Sequence, residues 1–175
     1  IVVSCPASTL LDSDLNYWKN RTRKKLSEGD LIEAEKIQRS VFLLISGELS
    51  EEELRTQLES VRNESFMSYV WVPDLDSVQT DLKLSYTPVP YFEQLNQPLL
   101  VIQGSADEII PSQSLKKIQS LTENENRRNR YLELEKADHA MMFKGQSDFP
   151  YWPGLHPDYR NEMIKWLDQL ELSGK

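Results

Sequence analysis

Apolar residues recur at helical spacing at Leu31, Ala34, Ile37, Val41, Leu44 and Ile45, the stripe of an amphipathic helix. Asp30 and Glu33 form a capping box at its start, and Gly47 supplies a C-terminal stop. Ser50 and Glu53 form a second capping box, followed by Leu54, Leu58 and Val61 on one face. Residues 10–26 ahead of both also read as helical and carry Arg21, Arg23, Lys24 and Lys25. Together, residues 10–72 form a helical, cap-like segment.

The texture then changes. Pro73, Pro88 and Pro90 punctuate a loop-rich stretch. Residues 98–103 read as an apolar strand ending at Gly104, the pattern of a parallel strand buried on both faces. Pro111 and Ser112 open a helix through Leu115, Ile118 and Leu121; residues 124–130 are a polar connection, and residues 130–134 alternate as a strand. A last helix over 157–170 places Met163, Ile164, Leu167 and Leu170 at helical spacing. Strand, helix, strand and helix joined by short loops predict an α/β fold with a partial parallel sheet. Residues 1–4 supply its remaining strand, short and buried, so about three strands are expected, flanked by helices. The parts are a strand and loop at 1–9, the helical segment at 10–72, and the strand–helix–strand–helix portion at 73–175, read as one domain. A strand apolar on both faces does not stand at a bare edge. The free edge of residues 1–4 is therefore expected to be covered by another chain, a symmetry mate or upstream sequence that has been removed.

Composition narrows the chemistry. Of 175 residues, 39% are hydrophobic, enough for a core. Twenty-eight acids against 20 bases leave a net charge of −8, which argues against nucleic acid or an anionic membrane as partner. The longest apolar run, residues 41–45, is far short of the ~20 residues that span a bilayer. Six scattered glycines exclude a phosphate loop, a dinucleotide fingerprint and a G-x-S-x-G elbow. One cysteine and two histidines exclude zinc fingers, H-E-x-x-H sites and internal disulfides.

In open parallel sheets, functional groups sit on loops at the carboxyl ends of the strands. Asp107 follows one predicted strand and His139 the next. One helix separates the strands, so they are neighbours or near-neighbours and their terminal loops face one edge. A carboxylate and an imidazole brought together there form an orienter–base pair. The carboxylate accepts a hydrogen bond from one ring nitrogen, fixing the tautomer and stabilising the imidazolium that forms when the other takes a proton.

The run Pro98-Leu-Leu-Val-Ile-Gln-Gly-Ser-Ala-Asp107-Glu-Ile-Ile-Pro111 resembles the strand and acid loop of the α/β-hydrolase fold, in the subset near prolyl-oligopeptidase-like peptidases and acyl esterases. Lys136-Ala-Asp-His139-Ala-Met-Met-Phe143 resembles its histidine loop. The resemblance is close over about residues 70–170 and looser before them. It implies an incomplete α/β-hydrolase fold with a helical cap, Asp107 as triad acid and His139 as triad base. The substrate would be a small-molecule or peptide ester or amide, cleaved through an acyl-enzyme, with no metal and no organic cofactor. The family's nucleophile sits on an elbow before the strand matched by residues 1–4, so it would lie outside this chain. Ser4 and Cys5 precede the acid in the right order, but Pro6 and the lack of glycines argue against an elbow there.

Two other functions compete: a non-catalytic α/β interaction module, and a haloacid-dehalogenase-type phosphatase. For the latter, Asp74-Leu-Asp76-Ser-Val78 resembles the nucleophile motif, with Asp74 attacking phosphorus, Asp76 as acid/base and magnesium required. Against it, Pro73 interrupts the expected strand. Asp138 and Glu108, flanking the pair, read as solvated, and His156 as a surface residue at a helix start. Trp18, Trp71, Tyr151 and Trp152 read as core or cap packing, and Phe149 and Trp152 are candidates for lining a substrate pocket. The basic runs at 21–25 and at Arg127, Arg128 and Arg130 read as solvated. The sequons at Asn20 and Asn63 matter only in a secreted eukaryotic protein.

Overall fold

A computed structural model describes residues 1–123, 128–143 and 154–171. The chain divides into two compact units, Thr9–Thr87 and Ile1–Ser8 with Pro88–Lys175. Residues 73–87 thus group with the helical unit.

In the helical unit, α1 (Leu10–Thr22), α2 (Glu28–Ser46) and α3 (Glu51–Val61) follow one another. Thr9 caps α1, with Asp12 closing a capping box. The box at Ser50 and Glu53 forms as expected at the start of α3. The start of α2 differs. Ser27, not Asp30, is its N-cap, accepting a hydrogen bond from the Asp30 N–H at 3.1 Å, so the helix begins before the Asp30–Glu33 box. Ser27 followed by an acid three residues on is itself a start signal, and using it keeps an extra stretch of helix. Gly47 ends α2 at φ 82°, with its N–H and that of Glu48 returning to carbonyls of the last turn.

Ala34, Ile37 and Phe66 are buried against Trp18, Leu26, Leu58, Val61, Met67 and Val70. Phe66 comes from a short 3-10 turn over Ser65–Tyr69. Gln38 is fully buried: its Nε2 donates to the Trp71 carbonyl at 3.2 Å and its Oε1 accepts from the Trp71 N–H at 2.8 Å. Trp71 is 53% exposed, so of the two packing roles expected for it the core one is not found. Its backbone is the part anchored.

The other unit holds a three-stranded parallel sheet in the order β1 (Val2–Val3), β2 (Leu100–Gly104), β3 (Arg130–Leu134), flanked by helices. Val2 pairs with Val101, and Leu100–Gly104 runs in register with Arg130–Leu134. All five residues of β2 are buried. Val101 packs with Ala7, Phe92, Leu99, Leu115 and Ile118, while Leu100 and Ile102 pack on the opposite face with Leu134, Ala137, Met141 and Trp166. That alternation explains the unbroken apolar run: both faces of a central strand need hydrophobic side chains. β1 is half-buried rather than buried, and among the described residues its outer edge carries no partner strand.

Three helices complete this unit: α4 (Val89–Gln94), α5 (Ser114–Thr122) and α6 (Pro157–Glu171). α4 falls where prolines suggested only loop. Pro88 and Pro90 sit in its cap and first turn, where a missing N–H costs nothing. The buried stripe of α6 also differs from expectation. Tyr159, Met163, Trp166 and Leu170 face the sheet cluster, whereas Ile164 and Leu167 are exposed. The indole of Trp166 reaches the carbonyl of Arg128 at 2.9 Å, which fixes that rotation. Nor are Arg128 and Arg130 merely solvated. Arg128 donates to the Gln169 carbonyl at 3.0 Å, and Arg130 is ion-paired with Glu162, tying the start of β3 to α6. Arg127 lies outside the described residues.

Candidate active site

The carboxyl ends of the three strands deliver Ser4, Asp107 and His139. Beyond β2, the loop at 104–113 is held at both ends by Gln103, a buried residue. Its Nε2 donates to the Pro111 carbonyl at 3.2 Å, and its Oε1 accepts from the Leu115 N–H at 3.1 Å. The loop beyond β2 is also tied to the one beyond β3. Ser105 N–H donates to the Leu134 carbonyl and Ala106 N–H to that of Ala137, each at 2.9 Å. Ser105 Oγ accepts from the Lys136 N–H at 2.8 Å. Such proximity requires Gly104, because a Cβ there would stand 2.2 Å from the Ala137 carbonyl oxygen.

These bonds bring Asp107 to His139. The Asp107 side chain is completely buried and that of His139 is 42% exposed, with Nδ1 3.1 Å from Oδ2. Asp107 Oδ1 accepts the N–H groups of Ile109 and Ile110 at 2.9 and 3.0 Å. The carboxylate is thus held by its own loop and offers its second oxygen to the ring. An ionised carboxylate only accepts, so the contact assigns the proton to His139 Nδ1 and leaves the Nε2 lone pair open. No described residue is hydrogen-bonded to Nε2.

Asp138 is not simply solvated. Its Oδ1 accepts from the Ala140 and Met142 N–H groups at 2.9 Å each, so it shapes the histidine loop. Glu108 is exposed, as expected. Among the described residues, the non-glycine residues at positive φ are Ser4 (46°), Lys136 (62°) and Met141 (59°). All three lie at strand ends or in the histidine loop. Clustered backbone strain of this kind is a feature of functional sites.

His156 sits at a helix start, but it is 6% exposed rather than superficial. Its Nδ1 accepts the Asp158 N–H at 3.1 Å, its Nε2 lies 3.1 Å from the Glu135 carbonyl, and Phe143 packs edge-on against the ring. Both nitrogens are occupied, so it is a structural residue capping α6. An open cleft of about 380 Å³ lies beside it, lined by Leu134, Glu135, Lys136, Phe143 and Asp158 among others. Neither Asp107 nor His139 lines it. Phe149 and Trp152, the candidates for a substrate pocket, lie outside the described residues, as does Tyr151.

The other nucleophile candidates are engaged elsewhere. Ser4 Oγ donates to the main-chain carbonyl of His139 at 2.9 Å, not to its ring. Cys5 is half-buried against the core; its Sγ donates to the Pro6 carbonyl, and loss of hydration pushes its pKa up, the opposite of an activated thiol. Asp74 sits in a turn with no strand before it, its carboxylate accepting from the Asp76 N–H and the Ser77 hydroxyl. Asp76 is ion-paired with Arg55 at 2.6 Å on the surface. That arrangement lends the phosphatase motif no support.

The sequence singled out Asp107 and His139 but not what holds them together. Gln103 read as the end of an apolar run, and Gly104 as a strand stop. A glycine and a buried amide at the carboxyl end of a central strand are the signal that marks both. Compared with protein-family models, with curated proteins and with solved structures, the chain finds no match in any of the three.

Proposed function

We propose that this chain supplies the acid and base of a serine hydrolase that cleaves an ester or peptide bond through an acyl-enzyme. The observation that carries this proposal is the contact of a fully buried Asp107 carboxylate with a half-exposed His139 ring across two strand ends. In mechanism, His139 Nε2 takes the proton of an attacking hydroxyl as the new carbon–oxygen bond forms, then returns it to the leaving group. Asp107 holds the ring in the tautomer that does this and stabilises the positive charge it acquires. No metal or organic cofactor enters these steps.

The attacking hydroxyl is assigned to a serine outside this chain, since Ser4 Oγ is spent on the His139 main-chain carbonyl and Cys5 Sγ on that of Pro6. Among the described residues the outer edge of β1 carries no partner strand, which supports that assignment. A strand paired there would bring its carboxyl end to the same rim as Asp107 and His139, which is where the resembled family carries its nucleophile. The order of parts supports the same family: a helical insert between β1 and β2, then strand, acid loop, helix, strand and histidine loop.

The test is fluorophosphonate labelling of the complete protein. The expected result is one labelled serine outside these 175 residues. Ester turnover should fall about 10⁴-fold on Asp107→Asn and comparably on His139→Ala. Stoichiometric labelling within this chain, or unchanged turnover in His139→Ala, would overturn the proposal.

A further inference from the structure

We propose that Ser4 is a positioning residue that aims His139. A rotamer is only as well placed as the backbone that carries it. Asp107 fixes the His139 ring through Nδ1, and Asp138 shapes the turn that follows. The main chain of His139 itself is held from β1: Ser4 Oγ donates to the His139 carbonyl oxygen at 2.9 Å. Ser4 is in turn fixed to the central strand, its N–H donating to the Ile102 carbonyl at 2.9 Å. A continuous path of hydrogen bonds therefore runs from β2 through Ser4 to the residue whose ring is paired with Asp107.

The conformation of Ser4 supports a role beyond chain reversal. At φ 46° it occupies the left-handed region, where a side chain is disfavoured and glycine is not. Glycine would make the turn without strain but would offer no hydroxyl. Strain retained at one residue and linked to a second through that residue's only functional group marks a position set by geometry. β1 thus belongs to the site although it bears no reacting group.

This inference rests on His139 being the group whose aim matters, but its test does not depend on hydrolysis. The neutral His139 ring, followed by nitrogen-15 NMR in this chain, reports which nitrogen carries the proton. In the parent chain the Nδ1–H form should dominate, with a hydrogen-bonded Nδ1–H resonance. Ser4→Ala removes the hydroxyl and keeps the strain; Ser4→Gly removes both. In each, the ratio of Nδ1–H to Nε2–H forms should fall about fivefold, the equivalent of one ordinary hydrogen bond, and the Nδ1–H resonance should broaden or vanish. If the alanine variant fails to fold, the unstrained glycine variant decides. A folded glycine variant with an unchanged ratio and resonance would overturn the proposal. Absence of esterase activity from the unsubstituted complete protein, with His139 correctly aimed, would instead count against the hydrolase assignment and leave this inference standing.

Discussion

Gly104 and Ala137 approach so closely that a single added carbon on the first would stand 2.2 Å from the carbonyl oxygen of the second. The obstruction is backbone, so no side-chain rotation relieves it. Gly104→Ala must push β2 from the histidine loop, with an expected loss of about 3 kcal/mol of stability. It should also separate Asp107 from His139. Urea unfolding measures the first effect and the His139 ring resonances the second. A variant with parental midpoint and parental ring resonances would show that the two loops do not need this contact.

Asp107→Asn tests the pair more gently. The amide oxygen can keep the N–H groups of Ile109 and Ile110, but the amide nitrogen then faces His139 Nδ1 as a donor. The ring should answer by moving its proton to Nε2, the tautomer unable to accept one there. Nitrogen-15 spectra should show that exchange of tautomers with little change in melting temperature. Persistence of the Nδ1–H form would mean the carboxylate does not orient the ring.

Much of this arrangement was legible in the sequence, and the gaps have physical causes. The parallel sheet showed itself because β2, covered on both faces, carries apolar side chains at Leu100, Val101 and Ile102 in succession. Asp107 and His139 were visible as a pair because titratable residues following such strands stand out. Helix starts were less secure: Ser27 and Asp30 both carry start signals, and the helix takes the earlier one, with Ser27 accepting from the Asp30 N–H. The buried face of α6 was misjudged because Trp166 outweighs Ile164 and Leu167 in area, and its indole needs the Arg128 carbonyl. Ser4 was invisible as a positioning residue, since its partner is a main-chain atom 135 residues away.

Asp12 makes the helical unit sensitive to acid. Partial burial alone would raise its pKa, but this is outweighed by the Arg39 guanidinium and the Thr9 hydroxyl and N–H, which together hold it below its ordinary 3.8. A folded-state value below the unfolded one stabilises above the unfolded pKa and is lost as pH falls through the folded value. Asp12→Asn should therefore cost about 1 kcal/mol near neutrality, mainly through the cap and the ion pair. The gap between parent and variant should close below about pH 3.8. Equal stability at neutral pH would contradict the prediction.

Gln38→Leu removes a buried amide of similar volume and leaves the Trp71 N–H and carbonyl without their partner. A loss of about 1–3 kcal/mol is expected in chemical denaturation. Proteolysis near Trp71 should accelerate with it. A variant as stable as the parent would show that solvent replaces both bonds without cost.

The chain leaves β1 at its third residue and reaches β2 only at Leu100, so the sheet must close a very long loop before Val2 meets Val101. The helical insert shortens that journey, because the Leu10 N–H donates to the Tyr86 carbonyl at 3.1 Å and brings its two ends side by side. Once the insert has folded, the entropy of closing those residues is already spent, and the first strand behaves in assembly as though it lay near the second in sequence. Folding of the helices ahead of the sheet is thus the efficient order of events.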